Sequence, residues 1–417
     1  MFYVISISVF IGLFIGFCWL LLFSGGLLLE VSSNVLMNDI FIFDGLSFYT
    51  VLLVSVLGVY GIFCFFTLIG WKAMVFLFLS FLFSILCFCT NNVVLFWCFY
   101  ELSMLPLVYL VFKESPYSER FLAGWYFCSY LLVTSLPLIL ILIYISVVQN
   151  SFLFSNWSME SSVSIFVYII LSFVFFSKVP LVPFHTWLPI VHAEATSIVS
   201  IFLSGYIMKL GLLGVYRSAW LIFESGVGVY LFVCLAFCIY FFVVAIMELD
   251  GKRWLAFLSL AHIVIPFLGF VILDSDNMMF MFLYCLGHGL GAGIVFSLLW
   301  WFYDTCNSRN WFLIKSSVNN NTTMMIVVSL SLLTLCSFPI TINFFCEVNF
   351  VKVSSFSLLC VWFWFVYLFI GGLIPLVLCG HLLIRCEFID SGVSSSFCFF
   401  GYLFYLCLWC YTGIMWL

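Results

Sequence analysis

The chain has 417 residues, of which 66% are hydrophobic and only 7% charged, with 12 basic and 17 acidic side chains and a net charge of −5. Soluble domains carry about a quarter charged residues, so soluble-enzyme, disordered and nucleic-acid-binding classes are excluded. A mean hydropathy of +1.33 over the whole length points to a polytopic α-helical membrane protein. At ~20 residues per span the length allows roughly 12 to 14 spans, and the runs are too long and continuous for an outer-membrane barrel.

Thirteen apolar segments follow one another in chain order: 2–29, 46–69, 73–90, 92–112, 124–148, 163–190, 196–217, 228–248, 253–273, 277–302, 323–350, 355–380 and 397–416. The loops are too short to form domains, so the fold class is all-α, a single membrane domain over 1–417. Met1–Phe10 has no basic n-region and the first run is too long for a secretory signal, so no cleavable presequence is expected. The 55 Phe and 15 Trp against a lone glutamine, Gln149, resemble the bias of a gene in a small, base-skewed organellar genome. A Phe-rich bacterial membrane protein is the other reading. The 18 cysteines are scattered through apolar runs as small hydrophobes and form no disulfide framework; this includes the Cys407–Cys410 pair.

Charges set the expected topology. Loops after even-numbered segments hold Lys72, Lys113, Arg120, Lys252, Arg253, Arg309, Lys315 and Arg385, whereas loops after odd-numbered segments hold only Arg217 and Lys352. Seven acids, Glu30, Asp39, Asp44, Glu160, Glu224, Asp274 and Asp276, lie in the odd loops. By the positive-inside rule the even loops and the N-terminus face the matrix or cytoplasm.

Two segments are interrupted. One contains Pro180 and Pro183, which cannot both sit in an unbroken helix; the other contains Pro339 within Ser337-Phe-Pro339-Ile-Thr-Ile-Asn343. Irregular backbone at membrane depth is tolerated where it packs within protein or lines a polar cavity. The breaks lie five segments apart, an odd offset that reverses orientation. The segments therefore divide into N-terminal helices (1–70), a first inverted repeat (73–217), a second (228–380) and a C-terminal helix (397–416). Broken helices in inverted halves are how many ion transporters build a mid-membrane site.

Four formal charges remain inside apolar segments, Glu101, Lys178, Lys209 and Glu347, and His185, His262 and His288 also lie at membrane depth. An ionisable group there costs at least ~2.5–3.5 kcal/mol on insertion scales, so each is a candidate functional residue. The plainer readings are a structural ion pair, a group snorkelling to the interface, or a neutral histidine bonded to a carbonyl. Glu101 and Lys209 lie too deep in their segments to snorkel. Desolvation and a movable opposite charge shift the protonation of lysine and glutamate in opposing directions, and histidine relays protons near neutral pH, so the set points to proton handling. The sequence shows no axial ligand pair, iron–sulfur spacing or phosphate cradle, so no cofactor and no metal is expected in this chain. Gly287-His-Gly-Leu-Gly-Ala-Gly293 reads as close helix packing rather than a nucleotide loop.

These residues resemble a known family. Phe99-Tyr-Glu-Leu-Ser-Met-Leu-Pro106 resembles the fifth-helix glutamate motif of the antiporter-like subunits of respiratory complex I. Lys178-Val-Pro-Leu-Val-Pro-Phe-His-Thr-Trp-Leu-Pro189 with His192-Ala-Glu-Ala195 resembles their broken seventh helix and the stretch after it. Met208-Lys-Leu-Gly211 with Tyr216-Arg217, Asp250-Gly-Lys-Arg253 leading to Ser259-Leu-Ala-His262, His288-Gly-Leu290, and Pro339-Ile-Thr-Ile-Asn343 with Glu347 are similar to four further blocks. Together they cover about residues 97 to 350. Chains 2 and 5 of that complex usually carry lysine where this sequence has Glu347, and chain 5 adds a long lateral helix for which no room follows residue 390. Two departures stand out: Thr196 replaces the family's usual proline, and one N-terminal helix fewer is counted than the fourteen expected, placing the N-terminus on the opposite side from the family's.

The resemblance implies a non-redox, proton-translocating subunit of the mitochondrial inner membrane. NADH, FMN, iron–sulfur clusters and ubiquinone would be held by other subunits. Glu101 and Lys178 would form a gating pair, Lys209 the central proton carrier, His262 and His288 the axis, and Glu347 the exit-side acid. Implied partners are other membrane-arm subunits, especially the antiporter-like chains 2 and 5, and lipids, with no nucleic acid. Side chains a helix diameter apart need water to complete such a path. A cation/proton antiporter of Mrp type shares the same helices, and a structural spacer that has lost its pump is a third reading.

Overall fold

A computed structural model describes residues 36–66, 68–157, 163–219, 228–273, 278–318, 322–384 and 397–415. The first apolar segment, 2–29, and the acidic positions Glu160, Glu224, Asp274 and Asp276 lie outside the described residues. A two-residue hairpin pairs Leu36 with Phe43 and Met37 with Ile42, and helices follow: α1 Gly45–Cys64, α2 Trp71–Cys89, α3 Val93–Glu114, α4 Arg120–Val148, α5 Ile165–Lys178, α6 Trp187–Glu194 and α7 Ser197–Ala219. Then come α8 Gly228–Met247, α9 Gly251–Ile272, α10 Met279–Cys306, α11 Trp311–Val318, α12 Thr322–Leu335, α13 Ile342–Ser354, α14 Leu358–Leu383 and α15 Phe397–Thr412. Among the described residues nine helices are long and apolar enough to cross a membrane. The chain is an all-α polytopic membrane protein.

The expected breaks are present. α5 ends at Lys178, and a single turn at Phe184–Thr186 leads into α6. α12 ends at Leu335, and Ser337 (φ 48°) and Ile340 (φ 89°) flank Pro339 before α13 begins. A β-branched residue in the left-handed region is strained, and such strain persists where the surrounding packing fixes the backbone. The expected run 277–302 continues to Cys306, and the short helix α11 was not legible as a separate element.

Local chemistry fixes the helix starts. Asp44 and Ser47 form a capping box at α1, with 2.8 Å bonds from Ser47 N to Asp44 Oδ1 and from Asp44 N to Ser47 Oγ. Asn92 accepts from Val94 N at 3.0 Å at α3, and Asp250 accepts from Lys252 N at 2.9 Å at α9. α7 and α10 are wholly buried at the centre, whereas only about a third of α4 and α14 is covered. Their exposed faces, including Trp125, Val133, Phe365 and Phe369, are apolar, as lipid contact requires.

The basic loops gather at one end. Arg309 lies 3.3 Å from Asp250, and both Arg309 and Lys252 stand over the Tyr117 ring. Arg217 is at the other end of α3. It donates to the Thr90 and Phe88 carbonyls and lies 3.6 Å from Asp44. The even-loop cations Lys252 and Arg309 thus share a face and the odd-loop Arg217 does not.

Candidate functional site

The first half of the site is an ion pair at a helix break. Pro180 and Pro183 cannot continue α5, so the helix ends on Lys178, where the negative end of its dipole favours a cation. Lys178 Nζ meets Glu101 Oε1, in the middle of α3, at 2.5 Å, and stands 4.4 Å over the Tyr100 ring. The lysine side chain is fully buried and the glutamate 13% exposed. A charge buried there is tolerated because its partner is present, and removing either one strands the other.

Lys209 sits on α7 just after a π-helical stretch, Leu203–Ile207. π-Bulges shift the backbone hydrogen bonds by one residue and recur at functional sites. Here the Ser204 carbonyl accepts a bond from Lys209 Nζ. The same nitrogen lies 3.1 Å from His288 Nδ1 on α10. Lys209 is fully buried, and among the described residues no carboxylate forms an ion pair with it. With Lys209 protonated, Nδ1 must accept, which puts the neutral His288 proton on Nε2.

From His288 the polar groups continue. Its ring centroid is 5.7 Å from that of His262 on α9. His262 Nδ1 meets Tyr367 Oη at 2.5 Å and Tyr284 Oη at 3.3 Å, and the two phenols are 3.1 Å apart. Tyr367 donates to Glu347 Oε1 at 3.5 Å. Glu347 lies in the second turn of α13, just beyond the second break, and is 2% exposed. Lys209, His288, His262, Tyr367 and Glu347 therefore form one line, each within contact of the next or one ring away. Sequence reasoning expected these ionisable side chains to stand a helix diameter apart; close packing brings them nearer.

Small residues make that packing possible. A Cβ on Gly211 would stand 2.3 Å from Val179 Cγ2, so the glycine lets α7 lie directly against the end of α5. A Cβ on Gly289 would meet Leu53 at 2.7 Å and the Gly205 carbonyl at 3.0 Å, which confirms the glycine run around His288 as helix packing.

Tyr284 and Tyr367 were missed in the sequence. They are two of 20 tyrosines in an aromatic-rich chain. Tyr284 lies four residues before His288, on the same helix face, which is the only signal available for it. His185 does not join the line. It packs 4.9 Å from the Phe241 ring. Cys407 and Cys410 are free and buried.

The family model described as "NADH:quinone oxidoreductase/Mrp antiporter, TM" matches residues 90–374. The chain is 31% identical over 274 residues to NADH-ubiquinone oxidoreductase chain 4 of Rhipicephalus sanguineus, covering 63% of this chain and 60% of that one. It is 32% identical over 275 residues to the chain 4 protein of Artemia franciscana, covering 66% and 70%. The chain thus spans about three fifths of the length of the first of these relatives. Its fold is similar to a chain of respiratory complex I from Thermus thermophilus with bound NADH, at TM-score 0.77 and 19% identity, covering 89% of this chain and 81% of that one. It is similar also to a chain of the Mrp complex from Dietzia sp. DQ12-45-1b, at TM-score 0.74 and 15% identity, covering 94% and 77%. With the family model matched across both breaks and every charged position of the site, the chain belongs to the NADH:quinone oxidoreductase/Mrp antiporter transmembrane family.

Proposed function

We propose that the chain is a proton-translocating, non-redox membrane-arm subunit of respiratory NADH:ubiquinone oxidoreductase, of the chain 4 type, in the mitochondrial inner membrane. The observation that carries the reading is the line from Lys209 to Glu347, hydrogen-bonded except between His288 and His262, whose ring centroids are 5.7 Å apart. Its members are alternately able to accept and donate a proton. Lys209 passes its proton to His288 Nδ1, and His288 releases its Nε2 proton towards His262. The Tyr284–Tyr367 pair carries it to Glu347, the exit-side acid. The Glu101–Lys178 pair gates this step. Paired, Lys178 is neutralised by its partner; released, it adds a like charge on the side of α7 that carries Gly211, two residues from Lys209, and favours loss of the Lys209 proton.

NADH oxidation and ubiquinone reduction take place in other subunits, which hold FMN and the iron–sulfur clusters; this chain needs no cofactor of its own. Its neighbours are the antiporter-like chains 2 and 5, with lipids between. The helices divide into inverted repeats at 73–217 and 228–380, and the basic face and the N-terminus lie on the matrix side. The similarity of the fold to an Mrp chain supports one alternative, a cation/proton antiporter. Both relatives above 30% identity described here bear the name of a complex I chain, which favours the respiratory reading. Purification under mild detergent separates them. Co-purification with flavin, iron–sulfur clusters and NADH dehydrogenase activity is expected, and a small ion-exchange assembly lacking them would overturn the reading.

A further inference from the structure

The last turn of α6 holds two buried ionisable side chains that are not part of the line just described. They are His192 and Glu194, both at least nine-tenths buried. The His192 ring stacks on Phe296 at 4.9 Å between centroids with 18° between planes. Among the described residues neither of its nitrogens has a hydrogen-bond partner, and neither does Glu194 Oε2. The backbone around them is already satisfied. Arg309 donates to the Ala193 carbonyl, Ser115 Oγ to the Glu194 carbonyl, and Lys252 Nζ to the Ala195 carbonyl at 2.8 Å. Cations at the last carbonyls of a helix explain Lys252 and Arg309 as caps. They leave the imidazole and the carboxylate unexplained, because buried polar groups normally bond to protein or to water.

The cluster connects in two directions. Towards the basic face, Tyr117 is half-buried, 5.0 Å from Lys252 Nζ and 4.2 Å from the Arg309 guanidinium. Burial raises the Tyr117 phenol above its ordinary pKa, so it stays neutral and accepts from Lys252 Nζ at 3.4 Å. Towards the interior, Ser200 Oγ donates to the His192 carbonyl at 3.4 Å and Ser204 Oγ to the Ser200 carbonyl at 2.9 Å. The next carbonyl on this ladder, that of Ser204, is the one that Lys209 holds.

We propose that Glu194 and His192, flanked by Lys252, form the proton-uptake site that reloads Lys209 from the basic face. A hydronium ion at that face gives its proton to Glu194 and is left as water, Glu194 passes the proton to His192, and the imidazolium gives it, through water beside Ser200 and Ser204, to the neutral amine of Lys209. One proton enters for each that leaves towards His288, only O–H and N–H bonds exchange, and every group returns to its starting state. The ligand of this site is therefore water that carries protons. The proposal rests on the reading of Lys209 as the central carrier.

The test uses Glu194→Gln in the intact complex, reconstituted in vesicles. The substitution keeps the size of the side chain and the backbone bonds from Ser115 and Lys252. The expected result is loss of this chain's share of the protons moved per NADH oxidised, restored in part by a small permeant weak acid such as azide or formate. Lys209→Met is the control, and its loss should be insensitive to the acid. A wild-type ratio in Glu194→Gln alongside a lowered one in Lys209→Met would overturn the uptake site and leave the function standing; wild-type ratios in both would overturn the function itself. A deficit in Glu194→Gln that no weak acid restores would assign Glu194 to structure and equally overturn the site. Should Glu194→Gln fail to assemble, His192→Asn carries the test, with imidazole as the rescuing molecule. Restoration supports the site, and pumping at the unmodified ratio overturns it.

Discussion

His262 and Tyr367 lie 105 residues apart in sequence, yet Nδ1 of one meets Oη of the other at 2.5 Å. That contact joins α9 to α14 and turns two buried histidines and a distant glutamate into one line. A phenol in this position accepts a proton from the imidazole while donating to Glu347, so the line continues without a charged intermediate on the tyrosine.

Tyr367→Phe tests this link. The ring is held by Trp364, Phe363 and Phe242 at centroid distances of 5.4, 5.5 and 5.4 Å, so the packing should survive and the complex should assemble. Protons moved per NADH oxidised should fall several-fold. Tyr284→Phe should be milder, because His262 keeps its shorter bond to Tyr367, and the double variant should be the most severe. An unmodified ratio in the double variant removes the phenols from the path.

Glu347→Gln retains the shape of the side chain and abolishes its titration. Assembly is expected to survive while pumping falls. Glu347→Asp should retain part of the activity, since the acid remains but is set back by one methylene. Vesicle pumping assays on the two variants decide it: equal ratios in Gln, Asp and wild type would leave Glu347 without a role in translocation.

Much of this was legible in the sequence, and the limits have physical causes. Charged residues announce themselves in an apolar chain because of what their insertion costs, so the residues alone single out Glu101, Lys178, Lys209 and Glu347 as charges within the helical segments. Proline fixes φ and removes a donor, so both broken segments were equally plain. The phenols were not, since a tyrosine reads as an aromatic filler until its hydroxyl is seen to have a partner. The π-helical turn before Lys209 was hidden as well, because Leu203–Ile207 has the same apolar character as an ordinary helix turn. His192 and Glu194 appeared in the sequence only as part of a motif. That both His192 nitrogens and Glu194 Oε2 are buried with no hydrogen-bond partner among the described residues is a property of the packed structure.

Gly211 is expected to be intolerant of size. Its missing Cβ leaves room for Val179, so Gly211→Val forces α7 away from the end of α5. Overpacking of this kind typically costs about 1–3 kcal/mol. The thermal midpoint of the purified complex should fall, with loss of coupling even where the protein assembles. A midpoint unchanged from wild type would show that the two helices are not in close contact there.

The two faces make a labelling prediction. Ser118, beside Tyr117, is exposed at the end that carries Lys252 and Arg309, whereas Asn150 lies beyond the end of α4, at the face of Thr90 and Arg217. Introduced thiols, Ser118→Cys and Asn150→Cys, should react with an impermeant reagent from opposite sides of the inner membrane, with Ser118→Cys labelled from the matrix. Labelling of both from one side contradicts the topology.

If the buried lysine on α7, which forms no ion pair among the described residues, carries the proton, a side chain there that cannot be protonated must uncouple electron transfer from proton release. Lys209→Met keeps the length and the apolar stem but cannot be protonated, so neither His288 nor the Ser204 carbonyl finds a donor there. In vesicles containing the assembled complex, simultaneous recording of NADH oxidation and proton release should show electron transfer with fewer protons moved per NADH. Release at the wild-type ratio from a fully assembled Lys209→Met complex would show that Lys209 does not carry the proton.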